Sequence, residues 1–359
     1  NYIGYAIPAR LLATYKRKKV ARFEDATFFP SISFIVAAYN EQDCMREKIL
    51  NSLAQQYPPD KVEFLFITDG STDQTNDIIR EYPQITLIFQ PERNGKSAAL
   101  NRVVSHAKND ILIFSDANTV LNPETCFRIA GHYASPKVGG VAGEKKVLTV
   151  GGETAANTEG AYWKYESALK KIDAEFYSVV GAAGELFSLR RDLYEPLPHT
   201  IILDDFVLSL RVAAKGFRIV YEPDAFASEL PSFSMGDEQK RKIRIAAGGF
   251  QAICLLGSLW QFWKHPRLTY LYVSHRVLRW ACSPFCLVTA LVSNFIICLL
   301  GGTIFYKILL VLQLGFYGAA FLGATSVGKG FKPFKLIYYF VFMNISVIQG
   351  FIRFLKGRQ

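Results

Sequence analysis

Two pairs of acidic or amide residues in this chain could bind a metal ion or move a proton. Asp116 and Asn118 stand two residues apart after an apolar run, so both side chains can offer oxygen atoms to one divalent ion. Asp204 and Asp205 open the helical pattern Asp204–Ala214, where a carboxylate could act as a general base. Each pair also has an ordinary explanation as a turn or a helix cap. Whether either pair does chemistry depends on the elements that position it.

Four apolar segments in the first part of the chain each end in a polar cluster. The predicted strands are Ser31–Ala37, Val62–Thr68, Ile85–Phe89 and Ile111–Ser115. Helical patterns alternate with apolar runs across residues 31–240, which is typical of an α/β domain with a largely parallel sheet. Open α/β sheets bind ligands at the carboxyl ends of their strands. The polar clusters are therefore expected to meet at one edge of the sheet.

These clusters do not form a common nucleotide-binding or metal-binding motif. No GxGxxG follows the first strand and no GxxxxGK[ST] occurs, so a standard dinucleotide site or P-loop is not supported. The six cysteines show no CxxC pair, so neither a zinc site nor a disulfide scaffold is indicated. Hard oxygen ligands at the strand ends favour Mg²⁺ or Mn²⁺ bridging a diphosphate.

Charge divides the chain near residue 240. Residues 1–238 contain 26 Lys and Arg and all 31 Asp and Glu, whereas residues 239–359 contain 15 basic residues and no acidic one. The net charge of +10 is thus an average over an acidic region and a basic one. Because the basic residues lie among apolar segments, they indicate membrane lipid as the partner, and nucleic acid is not expected. Hydrophobic residues make up 50% of the chain, which excludes a disordered protein.

Three apolar stretches near the carboxyl terminus are candidates for membrane helices. Ala281–Gly323 contains one charged residue, Lys307, and Gly301-Gly302 divides it into two segments near the ~20 residues that cross a bilayer. A third run, Leu336–Ile352, is short enough to be re-entrant or interfacial. Core helices of a globular domain are the alternative, but two successive spans with one charge favour the membrane.

Amphipathic segments flank these stretches. Phe250–Trp263 and Leu268–Trp280 predict helices in the lipid headgroup layer, with basic side chains on anionic lipid. Those basic side chains are Lys264, Arg267, Arg276 and Arg279. At the other end, the apolar segment Asn1–Tyr15 precedes Lys16–Lys19, which predicts the end of a truncated transmembrane helix with a cytoplasmic basic stop. The large domain between them is expected to be cytoplasmic.

Five short motifs, in their order and approximate spacing, resemble those of family 2 glycosyltransferases. They are Ala37-Ala38-Tyr39-Asn40-Glu41, Asp69-Gly70-Ser71-Thr72-Asp73, Arg93-Asn94-Gly95-Lys96, Asp116-Ala117-Asn118 and Leu203-Asp204-Asp205. The resemblance covers residues 31 to about 250 and is to the superfamily of cellulose, chitin and hyaluronan synthases and of many exopolysaccharide transferases. Its membrane-bound members are also similar in having a helix before the domain and interfacial and spanning helices after it.

The resemblance implies a Rossmann-like GT-A fold and inverting transfer of a sugar from a nucleotide-sugar, usually UDP-linked. It implies nucleotide-sugar contacts for Ala38, Tyr39, Glu41, Asp69, Lys96, Asp116, Arg241 and Arg244, with Asp69 holding the nucleoside. Asp116 and Asn118 match the family's DxD motif for Mg²⁺ or Mn²⁺, and Asn in the second place predicts weaker metal binding. Asp205 matches the catalytic base, preceded by Asp204.

Two glycines are implied in acceptor binding. Gly181–Leu189 resembles the Gly-rich segment that borders the acceptor in this family, and Gly181 and Gly184 would permit close approach by a sugar. Each glycine has a tight turn as its alternative explanation.

The segment Arg241–Gly248 aligns with the family's QxxRW element. Arg241 and Arg244 fall at i, i+3 on one helical face, suited to a diphosphate. Arg241 stands where the family has Gln, and Ile245 where it has Trp. The second departure favours single addition over processive synthesis. A basic helix docked on lipid headgroups is the structural alternative, and it can hold at the same time for Lys240 and Lys242.

The sequence thus predicts four regions and one principal function. Residues 1–20 are expected to end a transmembrane helix, 31–238 to form the catalytic domain, 239–280 to supply diphosphate-binding and interfacial helices, and 281–359 to span the cell (inner) membrane. The principal function is transfer of a sugar to a lipid-linked saccharide, such as a polyprenyl-linked one, or to a growing polysaccharide at the cytoplasmic face. The alternatives are a processive synthase with translocation and a non-catalytic membrane-anchored protein that binds sugar or nucleotide.

Overall fold

One mixed sheet of eight strands forms the centre of the part of the chain that the computed structural model describes, which is residues 2–15, 28–148, 154–229, 235–325 and 331–357. The strands are β1 (Ile32–Ala38), β2 (Val62–Asp69), β3 (Ile85–Gln90), β4 (Ile111–Asp116), β5 (Val120–Leu121), β6 (Val138–Val147), β7 (Leu186–Arg190) and β8 (Arg218–Glu229). Their order across the sheet is β3-β2-β1-β4-β7-β6-β8-β5. The four predicted strands are confirmed, each with bounds within one residue of the prediction.

The direction of β7 decides what lies beside the predicted metal ligands. β1 to β4 are parallel, as predicted, but β7 is antiparallel to β4 and β6, so the sheet is mixed. The register pairs Leu186, the first residue of β7, with Ser115 near the end of β4. Because antiparallel neighbours start where their partners end, the loop 181–185 lies at the carboxyl end of β4.

The helices cover both faces of the sheet. In chain order the first seven are α1 (Tyr2–Tyr15), α2 (Gln42–Leu53), α3 (Thr75–Arg80), α4 (Lys96–His106), α5 (Thr125–Gly131), α6 (Thr154–Phe176) and α7 (Asp204–Ala214). Successive residues of β1 pack into different apolar clusters: Phe34 with Met45 and Ile49 of α2, and Ile35 with Leu100 of α4. This period of two explains why β1 reads as a nearly continuous apolar run, since it is covered on both sides.

The carboxyl-terminal part is helical. It comprises α8 (Met235–Leu255), α9 (Pro266–Leu271), a π-helix (Tyr272–Cys282), α10 (Ser283–Leu299), α11 (Ile304–Ala324) and α12 (Lys332–Leu355). Three continuous helical stretches are long and apolar enough to cross a membrane, namely Pro266–Leu299, Ile304–Ala324 and Lys332–Leu355. The predicted break at Gly301-Gly302 separates α10 from α11. The third helix, α12, has 24 residues and is longer than the predicted apolar run Leu336–Ile352.

The prediction that Arg276 and Arg279 contact lipid headgroups is wrong. Both belong to the π-helix and pair with the buried carboxylate of Glu166 in α6, with Arg276 Nη1 3.0 Å from Glu166 Oε2. On the same face, His275 Nδ1 lies 2.7 Å from Asp173 Oδ2. The amphipathic pattern is present, but its charged residues face carboxylates of α6.

The amino-terminal helix α1 packs on the same elements. The Tyr5 hydroxyl donates to Asp173 of α6, and the Tyr5 ring stacks on His275 with ring centroids 5.0 Å apart. The predicted basic stop, Lys16–Lys19, lies outside the described residues. The limits predicted for the four regions stay predictions.

Candidate active site

A cavity of about 740 Å³ opens at the carboxyl ends of β1, β2 and β4. Every site residue predicted from the sequence lines it: Ala38, Tyr39, Glu41, Asp69, Lys96, Asp116, Asn118, Gly181, Gly184, Asp204, Asp205, Arg241 and Arg244. The sheet order gives their arrangement, because neighbouring strands lie ~5 Å apart. Along the edge, the end of β2 comes first, followed by β1, β4, the loop before β7, β6 and β8.

At the β2 end, the carboxylate of Asp69 is engaged by the protein itself. Asp69 Oδ2 accepts hydrogen bonds from the backbone N–H groups of Asn94 (2.8 Å) and Gly95 (2.6 Å), and Arg102 Nη2 lies 3.2 Å from Oδ1. Gly95 has a φ of +92°, a conformation that favours glycine and lets the loop turn toward Asp69. Asp69 thus shapes the loop that leads to Lys96, and its predicted contact with a nucleoside stays a prediction.

Tyr39 and Arg93 face each other at the mouth of the cavity. The Arg93 guanidinium carbon lies 3.7 Å from the centre of the Tyr39 ring. Asn40 fixes this loop, because its Oδ1 accepts the Thr72 backbone N–H at 2.8 Å. Arg93 belongs to the motif Arg93-Asn94-Gly95-Lys96, but the motif by itself implies no role for its side chain. An aromatic face beside a cation can contact a nucleotide base.

Glu41 lies deeper in the same loop. Its backbone N–H donates to Thr75 Oγ1 at 2.9 Å, and its carboxylate accepts a hydrogen bond from Cys44 Sγ at 3.2 Å. Burial, opposed by this hydrogen bond but reinforced by the negative charge of Asp116, raises the pKa of Glu41. A second negative charge close to Asp116 strengthens the attraction of this site for a cation.

An ion pair between Lys96 and Asp116 lies at the middle of the edge. Lys96 Nζ is 2.7 Å from Asp116 Oδ1. Burial by itself would lower the pKa of Lys96, but attraction to Asp116, Asp204 and Asp205 outweighs it and raises that pKa. Lys96 is therefore charged, and it connects the predicted metal ligand with the predicted base.

A buried lysine outside the predicted site residues holds the Asp116–Asn118 loop from below. Lys48 of α2 is 1% exposed, and its Nζ donates to Ser115 Oγ (2.6 Å) and to the Thr119 carbonyl (3.0 Å). Burial lowers the pKa of Lys48 to about 7, although the charge of Asp116 opposes the shift. The sequence feature that indicates the burial of Lys48 is its position on the apolar face of α2, three residues after Met45.

Asp116 and Asn118 fit a divalent ion that is shared with a substrate. In the described ranges, no group of three or more His, Cys, Asp and Glu side chains could hold a metal ion. Mg²⁺ and related ions often take one or two protein oxygens and complete their shell with water and substrate phosphates. One carboxylate and one amide oxygen on the cavity wall suit that arrangement and do not suit a closed protein cage.

Asp204 and Asp205 begin α7 on the inner side of the cavity. The residue at the cap position is Leu203, and no side chain caps the helix, so the helix-cap explanation for the Asp pair does not hold. Asp204 is 4% exposed, and its Oδ2 has no hydrogen-bond partner within the described residues. Burial, and next the charge of Asp204, raises the pKa of Asp205 to about 8, although Lys96 opposes the shift. A carboxylate with a pKa near neutrality suits a general base.

The two predicted acceptor glycines have different surroundings. A Cβ atom at Gly184 would lie 3.5 Å from both Asp205 Oδ2 and Lys96 Nζ, so Gly184 borders the charged centre directly. Gly181 has a φ of +85°, and a Cβ there would overlap the Phe206 ring. Gly184 leaves room for a ligand, whereas Gly181 is required by the backbone and its packing.

Buried ion pairs continue along the edge beyond β4. Glu185 lies 2.5 Å from Lys145 Nζ, and Lys145 also pairs with Glu229. Arg241 of α8 pairs with Glu229 (3.0 Å) and with Glu238 (3.4 Å). Burial would raise the pKa of Glu185, but attraction to Lys145 lowers it to about 2. The structure thus engages Arg241, predicted to bind a diphosphate, with two protein carboxylates.

Arg244 is the predicted diphosphate ligand that stays available. It lies one turn after Arg241, is exposed to the cavity, and has no ion pair in the described part of the chain. Its charge acts on Asp204, whose pKa is nevertheless raised by burial. Lys242 is buried and lies 3.1 Å from Glu238, so its alternative role on lipid headgroups is wrong.

Sequence reasoning missed the residues that α6, the π-helix and α12 contribute to the cavity. These are Trp163, Glu166, Lys170, Arg276, Arg279, Trp280, Met343, Ser346 and Val347. The one sequence feature of α6 that could have indicated these cavity residues is the pair Glu166 and Lys170, spaced i, i+4. Such pairs are usually solvated. Nothing local to the sequence shows that this pair is covered by the π-helix.

The sheet and the site at its carboxyl edge define the GT-A glycosyltransferase fold. A mannosyltransferase from Pyrobaculum calidifontis, solved in complex with GDP-Man and Mn²⁺, matches this structure with a TM-score of 0.76. The match covers 100% of this chain and 96% of that one, at 22% sequence identity. The predicted fold class is confirmed.

Residues 33–197 match the model of glycosyl transferase family 2, so the chain contains a family 2 glycosyltransferase domain and the resemblance of its motifs is confirmed. Poly-β-1,6-N-acetyl-D-glucosamine synthase from Staphylococcus aureus is 26% identical over 229 residues, 62% of this chain and 55% of that protein. The synthase of the same name from Staphylococcus epidermidis is 24% identical over 249 residues, 67% of this chain and 59% of that protein. The chain spans little more than half the length of these curated relatives.

Proposed function

We propose that this protein is an inverting glycosyltransferase that moves a sugar from a nucleotide-sugar to a saccharide acceptor at a membrane, for polysaccharide synthesis. The observation that carries the proposal is the meeting of Lys96, Asp116 and Asp205 around Gly184 in a family 2 domain. A binding protein without catalysis would not need a buried carboxylate whose pKa is poised near neutrality. This observation favours the enzyme over the non-catalytic alternative.

The donor lies along the β2, β1 and β4 ends in this proposal. Tyr39 and Arg93 contact the nucleoside, while Lys96 and Arg244 supply positive charge to the diphosphate. Asp116 and Asn118 would hold Mg²⁺ or Mn²⁺, which neutralises charge on a leaving diphosphate when it is bound. Lys48 keeps the loop of these two ligands in place through Ser115 and Thr119.

The acceptor approaches from the side of Gly184. Its hydroxyl oxygen forms a bond to the anomeric carbon as the bond from that carbon to the diphosphate breaks on the opposite face, which inverts the configuration. Asp205 takes the hydroxyl proton as the new bond forms. The pKa of Asp205 is about 8, a value that the positive charge of Lys96 already lowers. A divalent ion held by Asp116 and Asn118 would lower this pKa further and favour the ionised form that accepts a proton.

A screen of nucleotide-sugars tests the activity. We propose a UDP-linked donor because the motifs imply one; the mannosyltransferase with the same fold was solved with GDP-Man, so both classes belong in the screen. The purified protein should hydrolyse or transfer one donor in the presence of Mn²⁺ or Mg²⁺. Asp205→Asn should lower transfer by about 10²–10⁴-fold and leave donor binding intact. Full activity in that variant would contradict the role of Asp205 as the catalytic base.

The number of sugars added defines the second candidate function. Single addition is favoured by Ile245, which lines the cavity where the family has Trp. Processive synthesis with translocation is favoured by Trp280 of the π-helix, which brings an indole ring to the same cavity, and by the polysaccharide products named for the relatives. A synthetic saccharide acceptor separates them, because single addition yields one product and processive synthesis a ladder.

We also propose that the protein is a multi-pass protein of the cell membrane with a cytoplasmic catalytic domain. The three long apolar helices support insertion into the membrane. The basic residues 240–244, which lie next to these helices in the sequence, support a cytoplasmic position of the catalytic domain. In inside-out vesicles, protease added outside should cut the catalytic domain, whereas in right-side-out cells it should not. The reverse pattern would place the domain outside.

A further inference from the structure

Residues 194–203 form a segment without helix or strand that leads directly into α7 and its second residue, Asp205. This stretch, the 194–203 segment, follows the 3₁₀-helix Arg191–Leu193, and its last five residues line the cavity. Lys96 and Arg244, the cations proposed for the donor diphosphate, lie on other elements, namely α4 and α8. The place of the Asp205 carboxylate relative to the donor therefore depends on how this segment is held.

A single side-chain amide of α8 holds the end of the 194–203 segment. The backbone N–H of Ile202 donates to Gln251 Oε1 at 3.1 Å, and Gln251 Nε2 donates to the carbonyl oxygen of Thr200 at 2.8 Å. The amide thus pairs with one donor and one acceptor of the same short stretch of backbone. Because a backbone polar group that loses its partner in a partly buried place is costly, this pairing fixes the chain three residues before Asp205.

Helix α4 holds the same segment from the donor side. Asn101 Oδ1 accepts the backbone N–H of Leu197 at 3.0 Å, and Asn101 Nδ2 donates to the Leu197 carbonyl at 2.7 Å. Nearer to α7, Ser97 Oγ donates to the carbonyl oxygen of Ile201 at 3.0 Å. Since α4 begins at Lys96, the segment is tied to the helix that supplies one of the two donor cations.

The face of α8 that meets the segment also supplies the other cation. Arg244, Gly248 and Gln251 are spaced i, i+4, i+7, so they share one helical face. Arg244 is exposed to the cavity. A Cβ at Gly248 would lie 2.8 Å from Leu203 Cγ and 2.9 Å from Ile202 Cβ, so the missing side chain lets the segment lie close to the helix.

Helix α8 is itself held by the candidate membrane helix α12. Gln239 Nε2 donates to Gln349 Oε1 at 3.1 Å, and a Cβ at Gly350 would lie 2.5 Å from Ala246 Cβ. These contacts do not involve the 194–203 segment. They make α8 a fixed support against which Gln251 can hold the segment.

We propose that Gln251 is a positioning residue, which fixes the Asp205 carboxylate relative to the cations of the donor site. It acts through the backbone of Thr200 and Ile202, both of which line the cavity. A displacement of about 1 Å in a reacting group can cost about 10²-fold in rate, so a loosened segment lowers turnover while the donor still binds. The proposal rests on the proposed function, since it concerns the base of that reaction.

Steady-state kinetics of Gln251→Met test the proposal, because Met keeps the length of the side chain and removes both hydrogen bonds. The variant should lower kcat about 10- to 100-fold and keep the KM for the nucleotide-sugar within about twofold. Gln239→Met is the matched control, because it makes the same change on the same helix and breaks the bond to Gln349 instead. It should keep kcat. Unchanged kcat in Gln251→Met, or an equal loss in Gln239→Met, would overturn the proposal.

Gly248→Ala moves the segment by a different route. Ala has a higher helix propensity than Gly, so α8 is not weakened, but the new Cβ pushes Ile202 and Leu203 away. This variant should also lose kcat and keep its KM. Affinity for UDP and GDP should stay unchanged in both variants, whereas weaker nucleotide binding in parallel with the loss of kcat would indicate a structural role and reject the proposal.

The same experiment separates this proposal from the proposed function. Absence of sugar transfer by the unmodified protein would reject the proposed function, and the role of Gln251 with it. Transfer by the unmodified protein at the kcat of both the Gln251 and the Gly248 variants would reject the positioning role alone.

Discussion

Replacing Asp205 by Asn should stabilise the protein while it removes catalysis. An Asp in an unfolded chain has a pKa of about 3.9, whereas burial, followed by the charge of Asp204, raises the pKa of Asp205 to about 8. Between these values the unfolded chain releases a proton that folded Asp205 retains, so stability falls as the pH rises. At 1.36 kcal/mol per pH unit, the disadvantage reaches about 4 kcal/mol at pH 7. Asn has the same shape and no proton to release.

The measurement is the thermal unfolding midpoint of both proteins between pH 4 and pH 8. Water in the cavity screens part of the charge effect, so we expect a gain of about 1–3 kcal/mol at pH 7, or several degrees. The gain should vanish near pH 4, where the carboxyl is protonated in both states. An equal midpoint at pH 8, or a difference that does not vary with pH, would refute the assignment of a raised pKa to Asp205.

Asp73→Asn is a control with the opposite sign. Burial would raise the pKa of Asp73, but hydrogen bonds from the Thr75 hydroxyl (2.5 Å) and from the backbone N–H groups of Thr75 (3.0 Å) and Gln42 (3.1 Å) lower it. A carboxyl group whose pKa is lowered in the folded state stabilises the protein at pH values above its ordinary pKa. This stabilisation is lost as the pH falls through the lowered pKa. The Asn variant should therefore be less stable than the unmodified protein at pH 7 and should approach it at low pH.

Three other predictions concern binding and stability. Arg244→Gln should raise the KM for the donor about tenfold or more with little change in the unfolding midpoint. Arg241→Gln should instead lower stability by about 1–3 kcal/mol, because Glu229 and Glu238 lose one cation each and keep Lys145 and Lys242. Kinetics and thermal unfolding distinguish the two variants, and equal effects would contradict this prediction. Lys48→Met should raise the Mn²⁺ concentration needed for half-maximal turnover, because the loop that carries Asp116 and Asn118 loses its support. Lys48→Arg should bring that concentration part of the way back. An unchanged Mn²⁺ requirement would contradict the role of Lys48 in supporting this loop. Chelation by EDTA should abolish transfer and Mn²⁺ should restore it; turnover in EDTA would exclude a metal at Asp116.

Much of the donor site follows from local sequence patterns. An apolar run that ends in a polar turn identifies a strand and its carboxyl end, so the position of Asp116 could be predicted without knowing its neighbours. The helical pattern after Leu203 likewise predicts α7 with its correct bounds. Parallel strands then bring their ends to one edge, which explains why every predicted site residue lines one cavity.

The partners of the charged residues could not be predicted in this way. Arg241 and Arg244 have the same type, spacing and helical face, yet one pairs with Glu229 and the other faces the cavity. Arg276 and Arg279 have the composition of lipid-facing residues, yet both pair with Glu166, more than 100 residues away. Spacing along a helix fixes the direction of a side chain, but it does not say which element lies opposite.

The sequence by itself determined the family, the strand ends and the separation of an acidic domain from a basic, apolar tail. These features depend on periodicity, turn chemistry and composition, which act over a few residues. Only the tertiary structure decided that β7 returns antiparallel beside β4, that Lys48 supports the metal-ligand loop, and that Gln251 of α8 holds the backbone before Asp204. These features depend on which distant elements pack together, because burial and the identity of the nearest opposite charge set both the cost and the use of a buried charge.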